Sequence, residues 1–134
     1  MRYLVIFFII IVFVGCKPYK IPQPISCENC LTKINDIYSF KIKEIITDSR
    51  CPVDVNCVWQ GQVELVISVY ENDDFLEDEH LILEGKNLEY NKAIFEKYTF
   101  GKKVNGISIY PQKKENEKIE LKDYYLEVFV EGQN

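Results

Sequence analysis

The chain is short of the residues that most enzymes and nucleic-acid binders rely on. Its one histidine, His80, ends an acidic run from Glu71, and no serine stands in a Gly-x-Ser-x-Gly elbow, so the usual nucleophilic triad has nothing to build on. Paired carboxylates of the glycosidase kind are set by tertiary geometry, and the sequence assigns none. No enzyme is expected. Basic residues number 16 against 21 acidic, a formal charge of −5 at pH 7, and the lysines are scattered; this excludes nucleic acid as a partner, whose binding modules concentrate positive charge. Convincing helical periodicity is absent beyond residue 16, as is any internal repeat. The longest apolar run, Tyr3–Val14, falls short of the roughly 20 residues that cross a bilayer as a helix.

That run has another reading. MRYLVIFFIIIVFVGC opens with one charge at Arg2, continues apolar to Val14 and closes on Gly15 and Cys16, the layout of an export signal. It resembles the lipobox of bacterial lipoproteins, with Phe13 where leucine is usual. The resemblance implies cleavage before Cys16 and lipidation of that cysteine, and two acyl chains already give stable membrane residence. The expected organisation is therefore a signal peptide at 1–15, a lipidated Cys16 with a proline-rich tether to residue 30, and a single β-domain over 31–134. Pro18, Pro22 and Pro24 keep KPYKIPQPI extended, which at about 3.1 Å per residue holds the domain roughly 28 Å from the bilayer. The expected address is the cell envelope: anchored in the outer membrane and facing the periplasm, or exposed at the surface. Without Arg2 the balance becomes 15 basic against 21 acidic, or −6.

Within the domain the apolar period is two. Val63, Leu65, Ile67 and Val69 alternate with Gln62, Glu64 and Ser68, and the same phase carried backward puts Trp59 on the inward face. Tyr124, Leu126, Val128 and Val130 alternate with Tyr125, Glu127, Phe129 and Glu131. Tyr38, Phe40 and Ile42 do so too, and the shift to Ile45 and Ile46 marks a bulge or strand end. Weaker strands are read at Leu81–Leu83, Ile94–Phe100 and Ile107–Tyr110, although GKNLEYNKAIFEKY also suits a short helix with Leu88, Ile94 and Phe95 inward. Separators are Asn72-Asp73-Asp74, Gly85-Lys86-Asn87 and Asn105-Gly106. Six or seven short strands predict an all-β fold, a small antiparallel sandwich (Ig-like) or a partly open barrel. The aromatic residues are read as packing.

Setting Cys16 aside leaves Cys27, Cys30, Cys51 and Cys57, which allow three disulfide pairings. Export permits disulfides, and proximity favours Cys51 with Cys57 and Cys27 with Cys30. The first would close a seven-residue loop and add about 2 kcal/mol by chain entropy. The alternative is a metal-binding or thiol-redox protein using all four cysteines. Five residues between Cys51 and Cys57 are too many for a zinc knuckle, and neither a helix start nor positive charge surrounds Cys27 and Cys30. No metal or other cofactor is expected.

The stretch DSRCPVDVNCVWQG, Asp48 to Gly61, resembles a signature of small lipoproteins, chiefly of the Bacteroidetes: D-S-R-C-P, four variable residues, then C-x-W-x-G leading into an alternating strand. Weaker likeness extends to Ile109-Tyr110-Pro111 and to Tyr124–Val128, while Cys27 and Cys30 lie outside it. The resemblance implies a shared β-domain and an envelope address, and no reaction. Arg50 and Trp59 are the candidate binding residues, Arg50 because a guanidinium grips carboxylates or stacks on aromatic rings; its structural alternative is a pair with Asp48 or Asp54, or packing over Trp59. The acidic run Glu71–His80 lacks the glycine and spacing of a calcium loop and is read as a solvated hairpin connection. The expected function is a membrane-anchored, non-catalytic binding or structural module with an envelope protein or glycan as partner.

Overall fold

The computed structural model describes residues 31–83 and 87–132. The signal, Cys16, the tether and the Cys27 and Cys30 pair lie outside the described residues. Six strands make two antiparallel sheets. β1 (Thr32–Lys33), β2 (Tyr38–Asp48), β3 (Val63–Glu71) and β4 (Asp74–Leu83) form one in the order β1-β2-β3-β4, and β5 (Val104–Tyr110) with β6 (Tyr125–Val130) forms the other. Among the described residues the fold is mostly β and sandwich-like, with no closed barrel and one short α-helix, α1 (Leu88–Glu96). No helix among the described residues is long and apolar enough to cross a membrane.

β3 is the spine. Val63, Leu65, Ile67 and Val69 are fully buried on one face, as strict alternation on a central strand requires. Phe40 of β2 and Leu81 of β4 flank them in the same sheet, and Ile94 and Phe95 of α1, Val104 of β5, and Leu126 and Val130 of β6 join them in the core. The rings of Phe40 and Phe95 meet edge to face at 5.4 Å. β2 slips register twice against β3, skipping Lys43 and Ile46, so the bulge read near Ile45 and Ile46 is there and has a second beside it.

Two of the weaker strands are found, inside β4 and β5. Ile94–Phe100 is not a strand. Asn91, Ile94 and Phe95 are buried at helical spacing, which fits the short helix instead, since one face of a helix covers the sheet where a strand would leave Ile94 and Phe95 on opposite sides. Asn91 also explains how the sheet edge is closed. Its amide accepts from the Ile82 N–H at 3.3 Å and donates to the Ile82 carbonyl at 2.6 Å, supplying the hydrogen bonds that an added strand would make.

The acidic run is not a loop. Only Asn72 and Asp73 turn, both at positive φ (50° and 70°) between paired Glu71 and Asp74, the two-residue hairpin that Asn and Asp tolerate. The remainder is β4, an edge strand whose Asp74, Glu77 and Asp78 are exposed. Asn105-Gly106 is likewise inside β5, at a register shift, with Gly106 opposite Phe129.

Candidate functional site

The Asp48–Gly61 segment links the end of β2 to the start of β3, and its residues hold one another in place. Asp48, the last residue of β2, receives Arg50 Nε on Oδ1 at 2.9 Å and Arg50 Nη2 on Oδ2 at 2.6 Å, a two-pronged pair with both side chains mostly buried. Its Oδ1 also accepts the Arg50 backbone N–H at 3.1 Å, and Oδ2 accepts the Tyr124 hydroxyl at 2.9 Å. Arg50 Nη1 donates to the carbonyls of Ile109 at 3.2 Å and Pro111 at 2.9 Å, and the guanidinium lies 5.9 Å from the centre of the Tyr124 ring. One arginine thus fastens the β2–β3 connection to the far end of β5. The Tyr110–Pro111 peptide bond at that point is cis.

Burial alone would push the Asp48 carboxyl up. The hydrogen bonds from Arg50 and Tyr124, with the guanidinium charge, outweigh it and hold Asp48 below the ordinary carboxylate value. Tyr124 moves the other way, pushed up to about 12 by burial and by the Asp48 carboxylate that its hydroxyl donates to. Arg50 is therefore occupied inside the protein. The pair with Asp48 foreseen as its structural alternative is what forms, and the remaining guanidinium donors go to carbonyls of the chain itself.

The remaining residues of the segment brace the same corner. Ser49 N–H donates to the Gln62 carbonyl at 2.8 Å, Gln62 N–H donates to Ser49 Oγ at 3.1 Å, and Cys51 N–H donates to the Gln60 carbonyl at 2.8 Å. Gly61 sits at φ +70°, where a Cβ would stand 1.9 Å from the Ser49 carbonyl oxygen; only glycine permits this approach of the two chain segments. Cys51 and Cys57 form a disulfide with a Cα–Cα separation of 5.9 Å. From outside, Val53 N–H donates to the Lys113 carbonyl at 2.9 Å, Glu115 N–H to Asp54 Oδ1 at 2.9 Å, and Lys113 Nζ to the Asp48 carbonyl at 2.7 Å. Lys113, one of the scattered lysines, is thus a strut.

Trp59 departs from the expectation altogether. It is 81% exposed, and Val58 beside it is fully exposed, so it plugs no core. The inward phase of β3 does not extend back to it because Gly61 at positive φ breaks the extended backbone before the strand begins at Val63. A two-residue period holds only along uninterrupted strand. Val53 and Val55 on the closed loop are exposed as well. A disulfide-closed knuckle braced at its base therefore carries Val53, Val55, Val58 and Trp59 into solvent. Of the two candidate binding residues, Arg50 is in the brace and Trp59 is on the tip.

Sequence reasoning missed the three valines, Lys113 and the carbonyls of Ile109 and Pro111. The valines carried no signal, since an apolar residue in a loop reads as buried by default. Tyr124 was legible, as the first inward residue of the last alternating run. No group of three or more potential metal ligands occurs among the described residues. His80 pairs with Glu64 at 2.9 Å on the outer face of β3 and β4. Comparison of the chain with family models, curated proteins and solved structures gives no match.

Proposed function

We propose that this chain is a lipid-anchored cell-envelope protein, held in the outer membrane by Cys16 and facing the periplasm, whose β-domain is a non-catalytic binding module. The observation that carries the reading is the contrast within one fourteen-residue segment: Asp48, Ser49, Arg50, Cys51, Cys57 and Gly61 are engaged inside, while Trp59 and its valine neighbours stand exposed. Burying an indole is worth a few kcal/mol, and a fold that leaves it in water on a rigid mount gives up that stabilisation. Tryptophan is the residue that most often dominates protein interfaces, and a mount ordered beforehand lowers the entropy cost of docking. A convex aliphatic and indole tip matches a concave apolar cleft on an envelope protein. The likeness of residues 48–61 to the small lipoproteins supports the same envelope address.

The metal or thiol-redox alternative is weakened because Cys51 and Cys57 are joined to each other, which removes two of the four thiols it needs. The test is a photo-crosslinking amino acid placed at Val58 in the full chain in living cells. A discrete covalent adduct is expected at position 58, lost when Trp59→Ala is added, with none from the exposed position Lys43. Equal labelling from both positions, or none from Val58, refutes the proposal.

A further inference from the structure

A second surface lies at the other end of β2 and does not depend on the knuckle. β1 ends the four-stranded sheet and β6 ends the two-stranded sheet, and among the described residues neither has a strand on its outer side. These two edges face each other across an open groove of about 370 Å³, lined by Thr32, Lys33 and Ile34 on one side and Leu126–Val130 on the other. Phe40, Leu126 and Val130, all core residues, form part of its lining. The β6 wall of this groove is a strand edge, and an edge presents N–H and C=O groups that a further strand satisfies.

We propose that this groove takes an extended segment of a partner protein, added as a strand alongside β6. Main-chain hydrogen bonds supply affinity in such additions and alternate side chains supply selectivity. At 3.3 Å per residue the five β6 residues of the groove match a segment of about five residues. Its inward side chains meet Leu126 and Val130 and are apolar. Its outward ones lie beside Glu127 and Phe129, both exposed, and the match to Glu127 is basic. Lys33, on the short opposite edge, is the one basic residue of the lining, so the longer β6 edge and the chain's net negative charge of −5 set the preference. The partner is therefore an extended segment alternating apolar with basic residues. A second copy would bring its own acidic charge to the same edge, and the chain's own KPYKIPQPI carries prolines that lack the N–H a ladder needs.

The test uses the full chain in detergent micelles and a fluorescent, end-blocked seven-residue peptide alternating valine and lysine. Three comparisons are made by polarisation: the same peptide with valine and glutamate, the lysine peptide N-methylated on alternate amides, and the lysine peptide against a Glu127→Lys chain. The lysine peptide should bind at least tenfold tighter than the glutamate peptide, N-methylation on the pairing side should cost at least tenfold, and Glu127→Lys should invert the order of the two peptides. Binding indifferent to N-methylation, or unchanged by Glu127→Lys, overturns the proposal. So does binding that appears only when residues 17–30 are removed, which would make the chain's own tether the occupant. Self-association in sedimentation that Glu127→Lys abolishes would make it a second copy, and the proposal fails there too. Trp59→Ala should leave peptide binding unchanged, which separates this groove from the knuckle.

Discussion

The Arg50 and Asp48 side chains meet through two hydrogen bonds, at 2.9 and 2.6 Å, on a corner where neither is well exposed. The pair does more than neutralise itself. Asp48 also holds the Tyr124 hydroxyl just ahead of β6, and Arg50 reaches the Ile109 and Pro111 carbonyls at the end of β5, so both strands of the smaller sheet are fastened to the end of β2 through two side chains.

Removing the arginine leaves a mostly buried carboxylate and two carbonyls without their donor. Arg50→Ala is therefore expected to destabilise the domain by about 3 kcal/mol, the range for breaking one partner out of a buried pair. Arg50→Lys should recover little, because an ammonium cannot reproduce the fork that spans Asp48 and the two carbonyls. Urea unfolding of the three proteins checks this. A change under 1 kcal/mol for Arg50→Ala would return Arg50 to the list of binding residues.

Gly61→Ala should be more damaging than its size suggests. The new methyl would fall 1.9 Å from the Ser49 carbonyl oxygen, and φ +70° is unfavourable for any residue with a Cβ by about 1 kcal/mol before that clash is counted. A loss above 2 kcal/mol is expected by urea unfolding, whereas Gly101→Ala, also at positive φ but with open space around it, should cost only about 1 kcal/mol.

Joint replacement of Cys51 and Cys57 by serine is expected to cost about 2 kcal/mol while preserving the far-ultraviolet circular dichroism, since the loop is short and the core lies elsewhere. Loss of the fold would show that the staple, and not the core around β3, specifies the structure.

The titrations predict opposite behaviour at the two ends of the pH scale. Asp48 is depressed in the folded state, so its contribution is present above the ordinary carboxylate value of 3.8 and is lost as pH falls through the lower folded value. Tyr124 is raised from 10.0 to about 12, so its contribution is complete below pH 10 and is lost as pH rises toward 12. Tyr98 acts in the same alkaline direction, raised by burial and by its hydrogen bonds to Glu77 and Glu79. Stability measured by urea midpoint should be flat between about pH 5 and 9 and fall on both sides. Tyr124→Phe should flatten part of the alkaline decline.

Much of the fold was written in alternation. β6 carries an unbroken two-residue period, and in β3 the inward set Val63, Leu65, Ile67 and Val69 keeps its phase past an apolar Val66 and is fully buried. Where backbone geometry interrupts the period, the pattern misleads. Gly61 turns Trp59 outward, and Asn105 occupies a bulge where a turn was expected. β4 hid behind its charge, because an edge strand has no need of an apolar outer face. In the segment from Asp48 to Gly61 the residue types were informative and their targets were not. That Arg50 would find Asp48 is a local matter two residues away, but Ile109 and Pro111 are about sixty residues distant in sequence and nothing local points to them.

The account rests on Trp59 standing in water on a folded, stapled mount, and as the single tryptophan of the chain it reports on itself. The measurement is tryptophan emission and acrylamide quenching of the native protein against the same protein in urea. The account predicts a native emission maximum at the unfolded wavelength and nearly equal quenching, with circular dichroism confirming that the native sample is folded. A blue-shifted, quencher-protected indole in the isolated native protein would place Trp59 in the core and contradict the account.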